Sequence, residues 1–150
     1  MAEIGIADAR KPLFESADVI ITSPPYPGTY DYYQLQQLRR AWFGWGESAG
    51  VGEIGSRASF RNQSKVGYKR WVQSTKEWMT ACGQRLVRGG KLCVVVGEGV
   101  SRGERLKVSD PSRDAALAAG MEFVSMGRVE RRDPATGDRK FEIAAVFSKK

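Results

Sequence analysis

Asp18-Val19-Ile20-Ile21-Thr22-Ser23-Pro24-Pro25-Tyr26 is the stretch on which the fold turns. An aspartate opens a short β-branched apolar run, and two prolines stop it. Such a run reads as a strand buried on both faces, as in a parallel sheet, and the prolines forbid its continuation. In open α/β sheets, ligands sit beyond the carboxyl ends of the strands. Ser23–Tyr26 follows such an end directly and is therefore the first candidate for a functional site.

Working outward, Ile4–Ile6, closed by Ala7-Asp8, predicts another parallel strand. Leu35, Leu38 and Trp42 predict a helix over Tyr32–Trp42, ended by Gly44 and Gly46. Between Lys69 and Arg88 one helical face carries Trp71, Trp78, Cys82 and Leu86, with Gly89-Gly90 where a left-handed C-terminal cap belongs. Lys91–Val96 predicts an apolar strand. Ser109-Asp110-Pro111 supplies an N-cap and a first-turn proline for a helix ending near Gly120. Met121–Val129 and Phe141–Ser148 predict an antiparallel hairpin through the turn-rich segment 133–138. The order of elements gives the α/β class, with a mostly parallel sheet and a C-terminal antiparallel hairpin. Length predicts one domain over residues 1–150, and residues 44–67, with six glycines and no periodicity, predict a long functional or disordered loop.

Composition narrows the chemistry. The chain has no histidine, which removes histidine-based triads and the common zinc-protease motifs. Its two cysteines, Cys82 and Cys93, have neither metal-binding nor disulfide spacing and predict buried free thiols; no metal site is expected. No run reaches membrane-spanning length and no leader pattern is present, so a soluble, cytoplasmic protein is expected. The formal net charge is +7. Arg57, Arg61, Lys65, Lys69 and Arg70 fall in a stretch without an acidic residue, a candidate phosphate-binding footprint that reads otherwise as a solvated basic surface. Phe60 and Tyr68 lie among these charges as candidates for stacking on bases. The spacing of Trp42, Trp45, Trp71 and Trp78 predicts helix faces packed into a core.

Thr22-Ser23-Pro24-Pro25-Tyr26 resembles the catalytic motif of the S-adenosylmethionine-dependent DNA amino-methyltransferases, and the serine is similar to the cytosine-N4 type rather than the adenine-N6 type. The Leu86–Val96 segment and the Glu142–Phe147 strand resemble the same family in the same order. The resemblance implies a partial Rossmann-like class I methyltransferase fold, entered at its third strand. It also implies that Ser23 Oγ and the Pro24 carbonyl accept hydrogen bonds from an exocyclic amine, localising its lone pair for direct methyl transfer. Pro24 and Pro25 would hold these acceptors rigid, and Tyr26 would stack on a flipped-out base. Asp8 and Thr22 are the implied cofactor contacts.

The family's glycine-rich cofactor loop has no counterpart ahead of Ile4–Ile6. Gly97-Glu98-Gly99 follows a strand, but position 102 is arginine, so GxGxxG fails and these read as turn glycines. The expected partners are DNA and either a companion chain carrying that loop or a second copy, joined through the free edge of Asp18–Thr22. Two alternatives stay open: a non-catalytic nucleic-acid-binding remnant of the domain, and a methyltransferase acting on RNA or protein.

Overall fold

The computed structural model describes residues 4–44, 52–61, 64–101, 103–132, 137 and 139–150. Strand β1 (Ala17–Thr22) leads to two short helices, α1 (Tyr32–Leu35) and α2 (Gln37–Phe43), then α3 (Arg57–Arg61) and the long α4 (Ser64–Arg85). There follow β2 (Leu86–Gly97), a ribbon of β3 (Gly99–Ser101) and β4 (Glu104–Leu106), α5 (Ser109–Ala118), β5 (Met121–Arg132) and β6 (Arg139–Lys149). The main sheet has the order β1-β2-β6-β5, with β1 parallel to β2 and both pairings of β6 antiparallel.

The α/β class and the closing hairpin match the sequence reading. Among the described residues parallel pairing is confined to β1 and β2, and Ile4–Ile6 is not a strand. A strand persists only where its backbone groups find a ladder, and Ile4 and Ile6 instead lie at the surface. Gln36 interrupts the helix expected over Tyr32–Trp42, and Gly44 caps its second half with φ 65°. Trp42 is 87% exposed, so it does not join the core; helical spacing marks a shared face without saying what covers it.

In α4 the expected face holds: Trp71, Trp78 and Cys82, with Leu86 just beyond, are all buried. Burial pushes the Cys82 thiol up to about 11. The helix begins at Ser64 rather than Lys69, and α3 occupies Arg57–Arg61, so part of the expected loop 44–67 is helical. Trp45, Gly46 and most of segment 133–138 lie outside the described residues. Gly89-Gly90 sits inside β2, not at a helix cap. The ladder bulges between the pairs Ala17–Leu86 and Val19–Lys91, and Gly89 turns there at φ 80°, a value that costs glycine little. At α5 the N-cap position is Val108, not Ser109, with Pro111 in the first turn.

The two faces of the sheet differ. Leu92, Val94, Val96, Ile143, Ala145 and Phe147 point to the side packed by α4 and α5 and are buried with Trp78, Met79, Ala115 and Ala116. The intervening residues Val19, Ile21 and Val95 point the other way and are exposed, Ile21 at 77%. β1 is also the edge of the sheet. Leu92→Ala should therefore destabilise the chain by about 2–5 kcal/mol in denaturant unfolding. Ile21→Thr should change it by no more than about 0.5 kcal/mol, since that side chain is 77% exposed among the described residues.

Candidate functional site

β1 ends at Thr22, half-buried and paired with Val94, and the chain leaves the sheet through Ser23-Pro24-Pro25-Tyr26. Ser23 is exposed, Pro24, Pro25 and Tyr26 are half-buried, and Pro27 and Gly28 are buried. The turn thus presents one polar side chain at the surface while its far end is sunk into the protein. Two consecutive prolines fix their own φ and restrict the residues before them, so the Ser23 hydroxyl and Pro24 carbonyl stand on stiff backbone.

Three neighbours hold the turn from behind. From α4, the buried indole of Trp71 donates through Nε1 to the Pro25 carbonyl at 3.1 Å. From the end of β2 and the start of β3 come Gly97 and Gly99. A Cβ on Gly97 would lie 2.5 Å from the Tyr26 ring, and one on Gly99 would lie 1.6 Å from the Pro27 carbonyl oxygen. Positive φ is confined to other glycines, so Gly97 and Gly99 serve close approach and not the turn expected of them. From β6, Glu142 accepts a 2.6 Å hydrogen bond through Oε1 from the Tyr26 hydroxyl, and Arg131 of β5 reaches the same oxygen at 3.3 Å. Burial pushes the Tyr26 phenol above the usual tyrosine range, and the Glu142 contact adds to that shift.

Beneath the turn, the Gly28 N–H donates to the Gly55 carbonyl at 2.9 Å and the Phe60 ring lies against Gly28. Phe60 is 2% exposed, which removes it as a base-stacking candidate: its ring is part of the core. Tyr68 stacks on Trp71 with 6.0 Å between centroids, and its hydroxyl donates to the Lys107 carbonyl. Arg57, Arg61, Lys65, Lys69 and Arg70 are all exposed, the first two on α3 and the rest on α4. Arg61 approaches Asp31 at 3.9 Å. The inner sides of these helices, through Phe60 and Trp71, support the Ser23–Tyr26 turn, so the cations and the turn are carried on one scaffold.

Asp8 caps a turn: its carboxylate accepts from the Arg10 backbone N–H at 2.9 Å and from the Arg10 guanidinium at 2.7 Å. These hydrogen bonds hold its carboxyl down at about 2. Among the described contacts Asp8 meets Arg10 rather than the Ser23–Tyr26 turn.

Sequence reasoning missed Glu142, Trp71 as a donor, and the cations of the β5–β6 hairpin. A signal for Glu142 was available, since it is the only charged residue in the apolar run Phe141–Ser148. On the hairpin, Arg131, Arg132 and Lys140 face Tyr26 and Tyr30 across a small cleft, and the Arg128 guanidinium lies 3.6 Å above the Phe141 ring. No cluster of three or more potential metal ligands and no helix long and apolar enough to cross a membrane occurs among the described residues.

No protein-family model matches the sequence, and no curated protein matches it significantly. Solved structures do match. TTHA0409 of Thermus thermophilus, described as a candidate DNA modification methylase, superposes with a TM-score of 0.58 at 16% identity over 96% of this chain and 52% of that one. Its complex with S-adenosyl-L-methionine gives 0.55 at 18% identity over 96% and 51%. An S-adenosylmethionine-dependent methyltransferase from Methanosarcina mazei gives 0.54 at 11% identity over 99% and 68%. The chain therefore has the Rossmann-like methyltransferase fold and spans about half the length of TTHA0409.

Because a Cβ on Gly97 would lie 2.5 Å from the Tyr26 ring, Gly97→Ala should displace the ring and break the Tyr26–Glu142 hydrogen bond. The expected cost is about 1–3 kcal/mol in thermal or denaturant unfolding. Arg10→Ala should return the Asp8 carboxyl from about 2 toward 3.8, read by NMR titration.

Proposed function

We propose that this chain is the catalytic half of an S-adenosylmethionine-dependent methyltransferase acting on an exocyclic amine of a DNA base, cytosine N4 in preference to adenine N6. The observation that carries the reading is the seating of Ser23-Pro24-Pro25-Tyr26 at the carboxyl end of β1, with Ser23 at the surface and the residues behind it clamped by Trp71, Gly97, Gly99 and Glu142. The DNA-modification assignment of TTHA0409 and its complex with S-adenosyl-L-methionine lend support.

An exocyclic amine shares its lone pair with the heterocycle and is a weak nucleophile until acceptors draw on its N–H bonds. Ser23 Oγ and the Pro24 carbonyl are the acceptors this chain offers. Their fixed positions contribute orientation without reorganisation at the moment of reaction. S-adenosylmethionine supplies the electrophilic methyl group. Thr22 and Asp8 are the residues here that would contact it, with Asp8 exchanging its Arg10 contacts to do so. Arg57, Arg61, Lys65, Lys69 and Arg70 would engage DNA phosphates, each contact steepening the salt dependence of binding.

A second polypeptide segment belongs to the proposal. β1 is a sheet edge whose outward residues Val19 and Ile21 are exposed, and such an edge recruits a strand. The segment, from a companion chain that carries the glycine-rich cofactor loop or from a second copy, would pair with β1. Calorimetric titration with S-adenosylmethionine separates the two sources. A second copy predicts that the purified chain binds the cofactor with an affinity that rises with protein concentration. A companion predicts binding only once that chain is added.

Ser23→Ala should lower methyl transfer to duplex DNA by about 10²–10³-fold and leave DNA binding unchanged. Transfer that survives this substitution would reject the role given to Ser23. Preferential methylation of RNA in competition with DNA would move the substrate to RNA.

A further inference from the structure

The β5–β6 hairpin is longer than the sheet that carries it. β2 ends on the pair Gly97–Glu142, and its continuation makes one further backbone contact, the Glu98 N–H donating to the Phe141 carbonyl at 2.8 Å. β5 and β6 run on together through the pairs Arg131–Lys140 and Arg132–Arg139. These last two rungs have no third strand beside them among the described residues, and all four of their residues are cations. At a strand's rise of about 3.4 Å per residue, Arg132 stands roughly 10 Å past the end of β2.

Topology decides where this free end lies. β1 and β2 are parallel and β6 runs against β2, so the first residues of β6 stand at the carboxyl ends of β1 and β2. That is the end from which Ser23–Tyr26 leaves the sheet. Tyr26 marks the join: a Cβ on Gly97 would meet its ring at 2.5 Å, and its hydroxyl donates to Glu142 at 2.6 Å. From there Arg132 and Lys140 line the cleft bordered by Tyr26 and Tyr30.

Like charges directly opposite each other destabilise a ladder, and two such rungs stack here at an end that no neighbouring strand holds together. Glu142 and Glu130 approach Arg131 and Arg139 at 3.3 Å each. Arg132 is exposed and takes part in none of the ion pairs found among the described residues. A nucleic-acid backbone laid along the ribbon would replace the repulsion with attraction and release its own counterions in doing so.

We propose that the free end of the β5–β6 ribbon, through Arg132 and Lys140, is a phosphate-binding arm that grips the DNA backbone beside the nucleotide presented to Ser23–Tyr26. The arm is separate from the α3 and α4 cations, and it rests on the reading of this chain as one that acts on DNA.

The test follows binding of the full chain to a short labelled DNA duplex by fluorescence anisotropy across a range of salt concentrations. Arg132→Gln and Lys140→Gln should each flatten the slope of log Kobs against log salt by about 1, and the double variant by about 2. A fourfold rise in salt should then weaken the wild type about tenfold more than the double variant. Arg88→Gln with Lys150→Gln is the control: both side chains are exposed at the opposite end of the sheet, and their joint loss removes the same charge. Its slope should match the wild type. The thermal midpoint of Arg132→Gln/Lys140→Gln should equal or exceed that of the wild type, because two repulsive rungs are relieved.

An unchanged slope, or an equal flattening in the control, overturns the arm and leaves the ribbon a solvated basic surface. A lowered midpoint also overturns it, since the four cations would then be structural. Tighter binding of an RNA duplex, flattened by the same substitutions, overturns DNA as the partner.

In the assembly that transfers methyl groups, the double variant should raise KM for DNA roughly tenfold and change kcat by no more than about twofold, the pattern of lost uniform binding. A KM that does not move would show that the ribbon holds DNA away from Ser23–Tyr26, against the placement proposed. Flattening in a chain that methylates no base in any assembly keeps the ribbon as a DNA contact and refutes the methyltransferase reading. An unflattened slope in a chain that does methylate DNA refutes the arm alone.

Discussion

The Pro27 carbonyl oxygen stands where the first side-chain atom of any residue but glycine at position 99 would have to be. That approach joins the turn after β1 to the end of the neighbouring strand, and the rest of the site depends on it. With Pro27 seated against Gly99, the Tyr26 ring covers Gly97, its hydroxyl comes within reach of Glu142, and the Pro25 carbonyl meets the Trp71 indole. Each contact uses a different element, so the turn is over-determined: a shift in any one support strains the others. Such redundancy fixes the positions of the Ser23 hydroxyl and the Pro24 carbonyl, as the methyl transfer proposed above would require.

Charge is arranged around this turn on two sides. The α3 and α4 cations lie on helices whose inner faces hold the turn, and the hairpin cations line the cleft that Tyr26 closes. In the hairpin, Arg131 lies opposite Lys140 and Arg132 opposite Arg139, pairings that repel across a ladder. Glu142 and Glu130 offset part of that repulsion through contacts of 3.3 Å to Arg131 and Arg139. The carboxylate that orients Tyr26 therefore also helps keep the hairpin closed.

The sheet itself is asymmetric. One face is packed by α4 and α5; on the other, Val19, Ile21 and Val95 remain exposed beside an open edge. A strand such as Asp18–Thr22, apolar on both faces, is characteristic of a sheet covered on both sides. The sequence of β1 is thus matched to a more complete environment than the described residues build, and the chain spans about half of TTHA0409.

What the sequence determined by itself were the features that local chemistry dictates. These are the strand stopped by Pro24-Pro25, the α4 face of Trp71, Trp78 and Cys82, the strand through Leu92–Val96, and the closing hairpin. Period and proline geometry act within a few residues and need no knowledge of the fold. Tertiary structure decided the rest: that Ile4–Ile6 pairs with nothing described, that Trp42 stays at the surface while Phe60 is buried, and that Gly97 and Gly99 mark contact and not a turn. It alone decided that Glu142 meets Tyr26. These outcomes depend on which distant element arrives against a residue, and neither a residue's own period nor its immediate neighbours carry that information.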